Sequence, residues 1–157
     1  DTRVNSAAEV LKNWESIKQE EGEPKSMLAG VPRYLPALQR AQKVQGKAAL
    51  VGFDWPEAEG AALKVEEEWK EVKEAWEKGD KQALQGELGD FLFAAVNTCR
   101  LLGIDAEETL RQAVDKFSQR FCAMERKAAE RGLRLKDLSL IELDGIWDEV
   151  KASEEKN

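Results

Sequence analysis

Residues 65–91 read VEEEWKEVKEAWEKGDKQALQGELGDF, two runs of helical periodicity that meet at Gly79 and Asp80. At about 100° per residue, Val65, Trp69, Val72 and Trp76 form one apolar stripe, and Leu84, Leu88, Phe91 and Ala95 form another. A Gly where the first run stops is the residue a helix end favours, so an antiparallel hairpin is expected. Glu68 and Glu71 border the first stripe, while Glu87 and Asp90 border the second. Counted from Gly79, Glu71 and Glu87 are each eight residues away, and Glu68 and Asp90 each eleven. With a rise of about 1.5 Å per residue, the inner pair sits roughly 12 Å from the turn and the outer pair roughly 16 Å.

Four carboxylates at matched heights beside an apolar face repel one another. A hard divalent cation among them removes that repulsion, and oxygen-only ligands point to Mg²⁺ or Mn²⁺ over zinc. A solvated acidic face is the alternative that two Glu-x-x-Glu-like spacings leave open.

The rest of the chain is helical in pattern as well, with no convincing alternating strand, so the expected fold class is all-α. Helices are expected over about 6–21, 35–50, 57–78 and 81–102. A fifth is capped by Asp105 with Glu108 three residues on and ends before Gly132, and a last one is capped by Ser139 with Glu142. The segment GFDWP at 52–56 reads as a turn. In the fifth helix Leu110, Ala113, Val114, Phe117, Phe121 and Met124 make the expected core stripe, with Lys116 and Arg120 on one flank. Those two cations either cover the core edge, join a salt-bridge network, or grip phosphate oxygens. Trp147 and Lys151, four apart, supply either a core ring or a stacking ring with a cation. Phe93 and Val96 make the second acid helix apolar on more than one side. A single hairpin cannot cover both sides, so a homodimer with a four-helix core is expected.

The 157 residues suit one compact domain, and a net charge of −7 does not invite nucleic acid or an anionic membrane. The chain has no histidine, which removes Ser-His-Asp and Cys-His nucleophile systems and imidazole as a general base. Cys99 and Cys122 form no CxxC pair, which fits a reduced, cytoplasmic protein. The segment WESIKQEE at 14–21 echoes WDEVKASE at 147–154: Trp, acid, a β-branched residue, Lys, and an acid seven after the Trp. With Asp1 in place of an initiator Met, residues 1–30 are expected to be a remnant helix and linker from a preceding homologous domain, and 31–157 the catalytic domain.

The pattern EEWKE at 67–71 followed by ELGD at 87–90 resembles the MazG-type nucleoside triphosphate pyrophosphohydrolases. The likeness extends through PALQRAQKVQGKAALVGFDW at 36–55, AVDKFSQRF at 113–121 and WDEVK at 147–151. It implies Glu68, Glu71, Glu87 and Asp90 as metal ligands with Glu67 a neighbour of second rank. It also implies Lys116 and Arg120 as phosphate contacts, Trp147 and Lys151 as nucleotide contacts, and a dimer. Many members carry two such domains in tandem, which makes Trp14 and Lys18 remnants of another site. Val114 departs from the Asn expected in many relatives. The implied activity is Mg²⁺-dependent hydrolysis between the α and β phosphates, with Glu68 or Glu71 taking the proton of the attacking water. A helical regulatory module that binds nucleotide and metal without turnover is the rival reading, and a narrower enzyme acting on deoxynucleotides or modified triphosphates is a third.

Overall fold

The structure is a computed structural model that describes residues 25–156 and, before them, the helical residues 7, 9–12 and 14. Most of the helix expected over 6–21, including Lys18, lies outside the described residues. Among the described residues there is no strand, and the chain is all-α, as expected. Among the described residues no helix is long and apolar enough to cross a membrane. Two compact units meet in sequence at Gly103 and Ile104.

The first unit holds a 3-10 turn, Met27–Gly30, and three helices: α1, Ala37–Ala49; α2, Ala58–Lys78; and α3, Lys81–Leu101. α2 and α3 form the hairpin, and each boundary falls within two residues of its expected place. Gly79 turns the chain at φ 70°, a left-handed conformation that a Cβ disfavours. Asp80 then caps α3, its Oδ1 accepting from the N–H groups of Gln82 at 3.1 Å and Ala83 at 3.0 Å. Asp80→Ala is expected to lower unfolding stability by about 1 kcal/mol, the usual worth of a helix cap, measured by urea denaturation.

The buried stripe of α2 differs from the expected one. Ala61, Glu68, Val72 and Ala75 are buried, whereas Trp69 and Trp76 are exposed, Trp76 by 67%. At 100° per residue the stripe is turned about 60° round the helix, which puts Glu68 at its centre instead of its flank. Close approach explains the shift. Alanines let two helix backbones come together, and an indole at the same place would hold them apart. Trp69 instead packs at the hairpin edge on Phe91, ring centroids 5.3 Å apart.

α3 is covered on two sides, by α2 and by α1. Val96, nearly opposite Ala94 on the wheel, is buried within the chain itself. That part of the second apolar side therefore needs no partner. Gln45 of α1 is buried and donates from Nε2 to the carbonyl of Phe93 at 2.8 Å. The loop 52–55 is tied down by Arg100 of α3, whose guanidinium binds both carboxylate oxygens of Asp54.

The second unit holds α4, Ala106–Glu130, a 3-10 turn, Leu135–Asp137, and α5, Leu140–Glu154. Asp105 caps α4 through the N–H of Glu108 at 2.9 Å, but the Glu108 carboxylate pairs with Arg111 and Gln112. At α5 the box is complete: the Ser139 hydroxyl accepts from the N–H of Glu142, and the Glu142 carboxylate accepts from the N–H of Ser139 at 2.7 Å. The Ser139 N–H, and after it the Ser139 side chain, hold the Glu142 carboxylate below the usual range. Met124, Ala128, Ile146 and Val150 form the core of this unit. Of the apolar stripe expected on α4, Met124 is buried, while Leu110, Val114, Phe117 and Phe121 are exposed. Length accounts for Leu110 and Val114, which lie beyond the level at which Glu154 meets Arg120. α4 has 25 residues and α5 only 15, so α5 spans little more than half of its partner.

Candidate metal and nucleotide site

The turn at Gly79 brings three of the four expected acids together. Carboxylate oxygens of Glu68, Glu71 and Glu87 all lie within 4.8 Å of one another. Glu68 is only 6% exposed, a burial that a carboxylate tolerates only with compensation. Half of that comes from Lys64, whose Nζ lies 2.9 Å from Glu68 Oε1 and 3.3 Å from Glu67 Oε1. The other oxygen, Glu68 Oε2, is buried with no hydrogen-bond partner among the described residues. The charge of Glu68 is the main reason that Glu71 holds its proton above the usual glutamate range, with desolvation and the neighbouring Glu87 acting in the same direction. Asp90 is exposed and outside this trio. It lines a cavity of about 290 Å³ beside the acids, and Glu68 and Lys64 line the same cavity.

Lys64 was not among the expected site residues, although its position one turn before Glu68 was signal enough for an i, i+4 pair. It pairs with Glu67 and with Oε1 of Glu68, while Oε2 of Glu68 has no hydrogen-bond partner among the described residues. Three hard oxygen donors with one unsatisfied buried atom form a donor set for a hard divalent cation.

The cationic and aromatic residues belong to the second unit. Arg120 is held by Glu154 in a bidentate pair, Nε at 3.1 and 3.0 Å and Nη2 at 2.8 Å. Its guanidinium carbon lies 5.7 Å from the centroid of the Trp147 ring, which Phe117 also touches at 5.4 Å. The structure thus unites Arg120 with Trp147 and gives Trp147 a packing role against the unit's core as well. Lys151 Nζ lies 3.7 Å from Asp148 Oδ1. Arg120, through its hydrogen bonds, and then Lys116, through its charge, hold Glu154 below the usual carboxylate range. Glu154 is the acid seven residues after the Trp in the internal echo, so that pattern pointed to the partner of Arg120. Trp14, its counterpart, is helical and exposed. Val114 is exposed, and nothing in the structure explains its departure from Asn.

Fold and site together define a class: all-α proteins whose antiparallel hairpin carries a hard-oxygen carboxylate cluster. Residues 57–122, which span α2, α3 and most of α4, match the model of the MazG nucleotide pyrophosphohydrolase domain. The chain is 43% identical over 159 residues to the nucleoside triphosphate pyrophosphohydrolase of Escherichia coli (strain K12), covering 98% of this chain and 60% of that protein. It is 44% identical over 146 residues to the nucleoside triphosphate pyrophosphohydrolase/pyrophosphatase MazG of Thermotoga maritima, covering 92% of this chain and 56% of the relative. An uncharacterized protein, YabN, of Bacillus subtilis is 43% identical over 160 residues, which is 33% of its length. By that match the chain carries a MazG-type domain, and it spans 60% or less of the length of these relatives.

Proposed function

We propose that this chain hydrolyses nucleoside triphosphates to the monophosphate and pyrophosphate, with Mg²⁺ held by Glu68, Glu71, Glu87 and Asp90 and with Mn²⁺ as a possible substitute. The observation that carries this reading is the convergence of three carboxylates, one of which, Glu68, has a buried oxygen without a hydrogen-bond partner, in a chain whose residues 57–122 match the MazG domain. The residues fit such a cation: all donors are hard oxygens, and their mutual repulsion is only partly offset by Lys64. Once bound, Mg²⁺ supplies Lewis-acid polarisation of phosphate oxygens and activation of water.

The chain's own residues do the rest. Glu68 or Glu71 would take the proton of the attacking water, a role left to a carboxylate because the chain has no histidine. Lys64 holds Glu68 through Oε1. The family resemblance gives Lys116 and Arg120 roles toward phosphate, and Trp147 and Lys151 roles toward the nucleotide. Arg120 would then exchange the Glu154 carboxylate for a phosphate oxygen, both of which suit its planar fork. A homodimer belongs to the same reading, supported by the exposed Trp69, Trp76, Leu88 and Leu92 along one side of the hairpin. So does a reducing cytoplasm, supported by the free thiols of Cys99 and Cys122.

The test is identification of products. The protein is incubated with common ribo- and deoxynucleoside triphosphates, with Mg²⁺ or with EDTA, and the products are separated by ion exchange. Monophosphate plus pyrophosphate, dependent on Mg²⁺ and absent from Glu87→Gln, is the expected result. Diphosphate plus orthophosphate would show cleavage of a different bond, and binding without product would replace the hydrolase with a nucleotide-binding module.

A further inference from the structure

We propose that the cavity beside the acids seats the nucleobase and that Asn97 reads the base through its amide N–H donors. The inference rests on the nucleoside triphosphate reading above and deepens it. At about 290 Å³ the cavity is at the lower end of small-molecule sites, which run from about 300 Å³, so it has room for a ring system but not for a whole nucleotide. Phe53 and Trp55 of the loop and Phe93 of α3 line it. All three rings are substantially exposed, Phe53 by 82%, and aromatic rings left open around a concave site offer stacking surface to a flat ligand. Glu68 and Asp90 line the same cavity, so a base seated there is next to the residues proposed to hold the cation and, through it, the phosphates of the same molecule.

The polar wall of the cavity has a defined sense. Asn97 Oδ1 accepts from Arg100 Nε at 2.9 Å, and a guanidinium can only donate. That fixes which way the amide faces and leaves its NH₂ group as the polar contribution of Asn97 to the cavity. Arg100 does a second job at once. It binds Asp54, whose Oδ1 also accepts from the N–H of Trp55 at 2.8 Å, so one side chain both orients Asn97 and anchors the loop that carries two of the rings. The seat of Trp55 is also specific. A Cβ on Gly60 would lie 2.7 Å from Trp55 Cε3, so the ring rests against α2 only because residue 60 has no side chain. Clamp, ring seat and oriented amide are a built site; with the Glu68 and Asp90 carboxylates on its wall assigned to the cation and Lys64 paired with Glu67 and Glu68, the group left to read the base is the Asn97 donor. It selects a base edge that presents a carbonyl oxygen over one that presents an amino group.

The experiment compares matched pairs that differ in that group: UTP with CTP, and ITP with ATP, with Mg²⁺ present. The wild type is expected to show the lower KM for the carbonyl member of each pair. Asn97→Asp, which replaces the donor with an acceptor, is expected to raise that KM about tenfold or more and to abolish or reverse the preference, with kcat little changed. Gly60→Ala, which displaces Trp55 without altering any polar group, is expected to raise KM for all four, its fold being checked by circular dichroism. In parallel, uridine and inosine are titrated into the wild type in EDTA while the indole N–H resonance of Trp55, assigned with Trp55→Phe, is followed by NMR. Movement of that resonance without hydrolysis would uphold the base site and sink the hydrolase reading. Hydrolysis with an unmoved Trp55 resonance and the same KM pattern in Asn97→Asp would overturn the base site and leave the hydrolase reading standing.

Discussion

Glu71→Gln is expected to act in opposite directions on stability and on turnover. Without metal, the variant should melt a few degrees above the wild type, because an amide at 71 ends the repulsion from Glu68 and can donate to a neighbouring carboxylate. With Mg²⁺, its turnover should fall about a hundredfold or more, the scale expected when a group that helps to organise metal and water is lost. The pH dependence carries the same signature. The folded-state pKa of Glu71 is raised, so the native protein binds more protons than the unfolded chain at pH values above the ordinary glutamate value. Stability of the metal-free protein must therefore fall as pH rises from that value through the folded-state pKa of Glu71. In Glu71→Gln this contribution to the slope disappears, and in the wild type Mg²⁺ should suppress it. Thermal melts in EDTA and in Mg²⁺ across the acidic range check both. A variant no more stable than the wild type without metal would show that the three carboxylates do not repel as their spacing requires.

Leu92→Lys is expected to convert a dimer into a monomer. Leu92 is 55% exposed, and with Leu88 of α3 and Trp69 and Trp76 of α2 it forms an apolar side of the hairpin, while the acids occupy the other. On the wheel the two sets lie on opposite flanks of the α2–α3 contact, so disruption of one leaves the other in place. An exposed, contiguous apolar side of this kind marks an interaction surface. A second hairpin covering it produces the four-helix core expected from the sequence, with the same patch used by both copies about a two-fold axis. Light scattering should give twice the chain mass of 17.6 kDa for the wild type at micromolar concentration. The Lys variant should give 17.6 kDa and a lower melting temperature, since a buried interface stabilises by mass action. A monomeric wild type would remove the dimer from the proposal.

The comparison of sequence with structure divides along a physical line. Helix existence and boundaries are local matters, set by periodicity, by Gly79 and by caps such as Asp80 and Ser139, and all of these were legible. So was the convergence of Glu68, Glu71 and Glu87, because a tight hairpin with a rise of 1.5 Å per residue fixes which residues are level. The phase of the α2 stripe was misjudged, since hydrophobicity gives more weight to Trp69 and Trp76 than to Ala61 and Ala75. The same limit applies to α4, where periodicity marks Leu110 and Val114 as apolar but does not say where the shorter α5 stops.

The amino-acid sequence by itself determined an all-α chain and a carboxylate-bearing hairpin, because these depend on spacing along single helices and on the two-residue turn of Gly79 and Asp80, and it carried the resemblance to the MazG family. The tertiary structure alone decided that Glu68 is the buried member of the cluster and that Arg100, which binds Asn97 three residues before it, also reaches Asp54 across 46 residues of sequence. Those choices turn on how closely two helix backbones approach and on which donor faces which acceptor. Such distances arise only once the elements pack.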